Sequence, residues 1–265
     1  MKISKLALAA TLAAAALVAP PTPASAASKF SHEDFTKVLK KYVDARGYVN
    51  YDALAKDRAD LDRYLTSIET TSPANKPELF PTQNDKLAYY INAYNAQTIK
   101  GVLARGPEKV SVWGGGLFGI AFFTEDRVVL GGAKPTSLKA LEDDVVRDGF
   151  KDPRIHAALN CASKGCPRLP QEAFEGDLLD KQLDAGMTEF VGEARNVTVD
   201  EAAKTVTLSK IFDWFKKDFT KYEATKGNAS GNQIDYINRY RGSLPKVNRD
   251  YKIKFFDYDK AVNRQ

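Results

Sequence analysis

The segment Leu87 to Arg105 constrains the fold most. Leu87, Tyr90, Ile91, Tyr94, Thr98 and Val102 recur at helical spacing, which predicts one amphipathic helix ended by Gly106-Pro107. Gly101 lets a neighbour pack closely against its last turns. A helix with so long an apolar stripe has to be covered by other elements, so the chain needs a layered core. With 265 residues, 43% of them hydrophobic, it can supply one. The 14 Phe, 12 Tyr and 2 Trp exclude a disordered chain. Two cysteines exclude both a disulfide-dense miniprotein and a four-cysteine zinc ribbon.

Around this helix the pattern is mixed. Ser31 can cap a helix that has Glu33 and Asp34 in its first turn and Phe35, Val38, Leu39 and Tyr42 on one face, ended by Gly47. Tyr48 to Tyr51 reads as extended, and Leu54, Leu61, Leu65 and Ile68 as a second helical stripe. Pro73, Pro77 and Pro81 make the next stretch a loop. Lys109 to Trp113, Phe122-Phe123 and Arg127 to Leu130 read as short strands around the Gly114–Gly119 turn. Pro135-Thr136-Ser137 caps a helix to about Arg147, and Asp152-Pro153 opens an extended stretch to Asn160. After the cysteine loop come a helix from Leu178 to Val191 and a hairpin of Val197–Val199 with Thr205–Leu208. A helix from Ile211 to Phe219, another near Ile234–Tyr240 and a strand at Tyr251–Phe255 complete the chain. The expected fold is a helix-rich single α+β domain with a small, mainly antiparallel sheet.

The N-terminus reads as a signal peptide. Lys2 and Lys5 precede an uncharged run from Leu6 to Ala19, Pro20 follows, and Ala24-Ser25-Ala26 offers small residues for cleavage. The run of about 14 residues is shorter than the roughly 20 that a spanning helix needs. No cysteine follows the cut, and no later stretch is long enough to anchor the chain in a membrane. The expectation is a mature chain of 27–265, periplasmic or secreted. Without the two lysines, three excess positive charges remain, and acids interleave the basic clusters Lys37–Lys41 and Lys216–Lys221. Such a balance reads as solvated helix faces and excludes nucleic acid as a partner.

The chemistry concentrates in Asp152-Pro153-Arg154-Ile155-His156-Ala157-Ala158-Leu159-Asn160-Cys161-Ala162-Ser163-Lys164-Gly165-Cys166-Pro167. Four residues, Gly165 among them, separate Cys161 from Cys166, a spacing that allows a disulfide in an oxidising compartment. A thiol nucleophile is the second reading, with Cys161 or Cys166 attacking and His156 as base. Against it, a strand or a helix through 154–160 points His156 and Cys161 apart, and His32 falls at an exposed helix start. A zinc site of His156, Cys161 and Cys166 is the third, but this is not a strong zinc spacing. The leading reading is the disulfide, with no metal. On the long helix, Asn92 and Asn95 either hydrogen-bond nearby backbone, such as the 161–170 loop, or contact a ligand in a cleft. Gly114-Gly115-Gly116 is not a phosphate loop, because no Gly-Lys-Ser/Thr follows, and no cofactor is expected. Trp113, Phe118, Phe122 and Phe123 read as core before they read as a sugar or lipid groove, and the adjacent Asp143 and Asp144 splay apart on a helix.

Leu87-Ala88-Tyr89-Tyr90-Ile91-Asn92-Ala93-Tyr94-Asn95-Ala96 and the Asp152–Pro167 stretch together resemble the domain of unknown function 547 family, over a core of about 82–191. Weaker similarity lies in Gly47-Tyr48-Val49-Asn50-Tyr51, Ile211-Phe212-Asp213-Trp214-Phe215 and Phe256-Asp257-Tyr258-Asp259. The resemblance implies an exported bacterial version of a domain also found in plants and nematodes, and it supplies no activity. It marks Asn92, Asn95, His156, Cys161, Ser163 and Cys166 as motif positions. Relatives commonly carry Ile-Glu-His where this chain has Leu141-Glu142-Asp143; Glu142 matches and the second histidine is missing. The resulting expectation is a binding or scaffold module with a disulfide-fixed loop beside the Asn-bearing helix, taking a cell-envelope ligand. The alternative is a thiol-dependent hydrolase or transferase acting on envelope peptides or glycans, with Cys161 as nucleophile and His156 as base.

Overall fold

A computed structural model describes residues 29–106 and 117–265; side chains of 117–120 are outside the description. The signal segment, the strand expected at 109–113, the turn at 114–116 and the side chains of Trp113 and Phe118 therefore lie outside the described residues. The helices are α1 (Glu33–Tyr42), α2 (Tyr51–Lys56), α3 (Ala59–Thr70), α4 (Gln83–Arg105) and α5 (Leu117–Thr124), a continuous α6 over 138–150, then α7 (Leu179–Gly192), α8 (Lys210–Trp214), α9 (Lys216–Thr225) and α10 (Gln233–Tyr240). Three short strands, β1 (Val197–Asp200), β2 (Thr205–Leu208) and β3 (Lys252–Phe255), form one sheet in that order.

Helix α4 is the centre. Its start is fixed by a reciprocal box in which Thr82 Oγ1 accepts from the Asp85 N–H and the Asp85 carboxylate accepts from the Thr82 N–H. The apolar stripe understates its burial: Tyr89, Asn92, Ala93, Asn95 and Ala96, off the stripe, are all buried, while Tyr90 is only partly so. Small or hydrogen-bonded residues on the other faces let neighbours cover the helix all round. At Gly101 a Cβ would lie 2.5 Å from the Arg127 guanidinium, so the glycine makes room for that side chain, which also stacks on Phe122.

The core has two parts. One gathers α1 to α4 and α6 around Phe35, Tyr64, Tyr89 and Tyr94; the other gathers α8 to α10 and the sheet around Phe212, Phe219 and Tyr236. Helix α7 ties them together, with Leu179 and Leu183 in the first part and Met187, Phe190 and Val191 in the second. The C-terminal residues return to the start of the chain, where the Val49 N–H donates to the Asn263 carbonyl at 2.8 Å.

Several expectations need correction. The sheet is mixed: β1 and β2 pair antiparallel as a hairpin, but β3 runs parallel to β2, Val206 opposite Ile253. Residues 153–157 form a 3₁₀ turn in place of an extended stretch, because the Asp152 side chain accepts from the Arg154 N–H and Pro153 suits a first helical position. Phe122 and Phe123 sit on α5, not on a strand. His32 is buried at the start of α1, its Nδ1 2.9 Å from the Tyr64 hydroxyl, and burial, only partly opposed by Asp85, pushes its pKa down to about 3.

Candidate functional site

The site starts from a local irregularity. Ser137 Oγ accepts from the Ala140 N–H, opening α6 where the sequence places a cap. From Leu141 to Arg147 the helix then widens to π geometry, with the Asp148 N–H reaching back to the Asp143 carbonyl. Such insertions re-aim side chains and recur at functional sites. Here Glu142 and Asp143 both reach the wall of a cavity of about 300 Å³, while Asp144 stays exposed. Tyr94 of α4, Phe123 of α5, Trp214 and Phe215 at the end of α8, and Tyr258 form the aromatic walls.

The Cys161–Cys166 disulfide lines the same cavity, its Cα atoms 6.2 Å apart. Ser163 Oγ and the Tyr258 hydroxyl lie 2.9 Å from each other, and both are within 3.4 Å of the two sulfurs. Bonded sulfurs can only accept, and each hydroxyl has one proton, so at most two of these contacts are donated at a time and the rest are close packing on the disulfide. At Gly165 a Cβ would lie 2.8 Å from the Tyr258 ring; the glycine lets the C-terminal segment press against the loop.

Asn92 and Asn95 are structural partners of backbone. Asn92 donates to the Phe174 carbonyl at 2.8 Å and accepts from the Phe174 N–H at 3.0 Å. Asn95 donates to the Ala158 carbonyl and accepts from the Asn160 N–H, at 3.0 and 2.8 Å. Asn160 then continues the chain of amides, donating to the Pro167 carbonyl and accepting from the Ala162 N–H. Helix α4 thus shapes the cysteine loop from its root, through Ala158 and Asn160.

His156 is buried and faces the cavity, but its Nε2 lies 2.9 Å from Asp218 of α9. Arg147 holds the same carboxylate through two nitrogens, at 2.9 and 3.2 Å. The His156 ring stacks on Phe215 at 4.0 Å between centroids. Burial works against the Asp218 charge, yet hydrogen bonds from His156 and Arg147 hold its carboxyl well below the usual carboxylate range. Burial likewise lowers the His156 pKa despite Asp218, so the pair is a neutral imidazole donating to a carboxylate. Glu142 is the opposite case. Burial first, then the Asp143 charge, raises its pKa to about 7, although the Tyr94 hydroxyl donates to it at 3.1 Å.

Sequence reasoning missed Asp218, because Lys216 and Lys217 beside it read as a solvated face; Tyr258 lay inside a segment already similar to the family. Cys161 is bonded to Cys166, and His156 Nε2 faces Asp218. Among the described residues no three His, Cys, Asp or Glu side chains converge as a metal ion needs, and no helix is long and apolar enough to cross a membrane. Closing the short loop contributes about 2 kcal/mol by loop-closure entropy. Cys161→Ser and Cys166→Ser should therefore each lower the melting temperature by a similar amount. Unchanged melting in both would contradict a stabilising bridge.

The fold and cavity define a helix-rich α+β domain with a disulfide-edged pocket. Residues 79–191 match the family model described as "Protein of unknown function, DUF547", the family that the two sequence motifs resemble. The match spans α4, α6, the cysteine loop and nearly all of α7, whereas Asp218, Trp214, Phe215 and Tyr258 lie beyond it. No curated protein and no solved structure matches the chain.

Proposed function

We propose that the chain is an exported, periplasmic or secreted, binding module for a small cell-envelope ligand, and that the ligand enters the cavity beside the disulfide. One observation carries this: an aromatic-walled space of about 300 Å³ with Glu142 and the disulfide on its wall. Apolar walls with a few placed polar groups are the usual make-up of a ligand site. The scaffold role falls to the α4 asparagines and the disulfide, which hold the loop against that space.

The signal of Trp214, which lines the cavity, reports occupancy. Titrating the protein with N-acetylated disaccharides, short peptides and small aromatic amines and alcohols should give saturable shifts of the Trp214 indole resonance. Thr124→Trp, which places a bulky ring on the cavity wall, should abolish them. If no member of the panel gives a saturable shift, the binding reading fails.

A further inference from the structure

The charges around the cavity do not cancel evenly. Lys139 and Arg147 both pair with Asp143, and Arg147 with His156 also satisfies Asp218. Among the described residues, Glu142 receives instead a single neutral hydroxyl, that of Tyr94. Around it stand Lys139, Asp143 and Arg147 on its own helix, Tyr94 from α4, Tyr258 from the C-terminal segment, and the neutral His156 across the space. A carboxylate facing rings, without a cation at hydrogen-bonding distance, is costly as an ion and is best relieved by a cation that the rings also attract.

We propose that the cavity selects organic cations, with Glu142 as counter-ion to a ligand ammonium and the rings of Phe123, Trp214 and Tyr258 holding its apolar body. This rests on the reading of the cavity as a ligand site and adds the chemical class of the ligand. The ammonium donates to the Glu142 carboxylate, and its flanking CH groups face the negative faces of the rings. An anion meets Glu142 as a like charge, and a neutral molecule gains only the apolar contacts. Glu142 is partly protonated near neutrality, so an arriving cation displaces that proton, and affinity rises with pH.

Three probes sharing one ring separate the outcomes: phenethylamine, phenethyl alcohol and phenylacetate. The amine should bind at least about tenfold more tightly than the alcohol at pH 8, and phenylacetate more weakly than either. Amine affinity should fall about tenfold from pH 8 to pH 6, while the amine itself stays protonated. Calorimetry in two buffers of different ionisation enthalpy should show about half a proton released per amine at pH 7. Glu142→Gln, which keeps an acceptor for Tyr94, should make amine and alcohol equal and remove the pH slope. If the alcohol matches the amine in the native protein, or amine binding is flat with pH, cation selection is wrong and the ligand cavity stands. Failure of all three probes to shift Trp214, together with the wider panel, removes the cavity reading itself.

Discussion

Replacing Asn95 with leucine lowers the unfolding free energy by about 2–4 kcal/mol, and the same change at Asn92 costs about as much. Each side chain closes a two-bond clasp on buried backbone, Ala158 and Asn160 in one case and Phe174 in the other. Leucine has nearly the same volume, so the loss is not a cavity effect. It comes from stranding an N–H and a carbonyl in a place water does not reach, at about 1–3 kcal/mol each. The two variants should differ in a second readout. Asn95→Leu disturbs the root of the cysteine loop and should shift the Trp214 and Tyr258 resonances, whereas Asn92→Leu acts at Phe174, away from the cavity. Denaturant midpoints measure the first effect. A loss under 1 kcal/mol at both sites would show that those backbone groups find other partners.

Much of this architecture is written locally. The cap at Ser137, the long run of α4 from Leu87 and the hairpin of β1 with β2 each depend on residues close in sequence, and the pattern shows them. Where partners are far apart the pattern is silent. Strand β3 alternates like any edge strand, and nothing in Tyr251–Phe255 says that it will lie parallel to β2. The cavity has the same character. His156 and the cysteines stand out by composition, but Asp218 follows 62 residues later amid lysines, and its role exists only once α9 packs on the 3₁₀ turn. Glu142 was visible through family likeness alone; its raised pKa comes from burial and the Asp143 charge, against the Tyr94 hydroxyl, once α4 and α6 have packed together. His32 misled for the converse reason, since a helix start is usually wet and this one is closed by Tyr64 and Phe30.

Glu142→Gln should stabilise the unliganded protein at pH 8 by about 2–3 kcal/mol and leave its stability near pH 4 little changed. The sign follows from the proton. The folded state keeps it until about pH 7, whereas the unfolded chain releases it near the ordinary value of 4.5. Between those values the folded state binds more protons, so the native protein loses stability as pH rises, and above pH 7 the full cost of an ionised, poorly partnered carboxylate remains. Glutamine carries no such cost and still accepts from Tyr94. Asp218 acts in the other direction and in a separate window. Its depressed pKa gives stability that is present above the usual carboxylate range and disappears as pH falls through the folded value. The native protein should therefore be most stable in mildly acidic solution, with the variant flat from there upward. Melting curves of both proteins from pH 4 to pH 8 test this, and parallel curves would mean that Glu142 is ionised without strain. The same cost at pH 8 is what a bound ammonium relieves, so phenethylamine should raise the native melting temperature there and leave that of Glu142→Gln nearly unmoved.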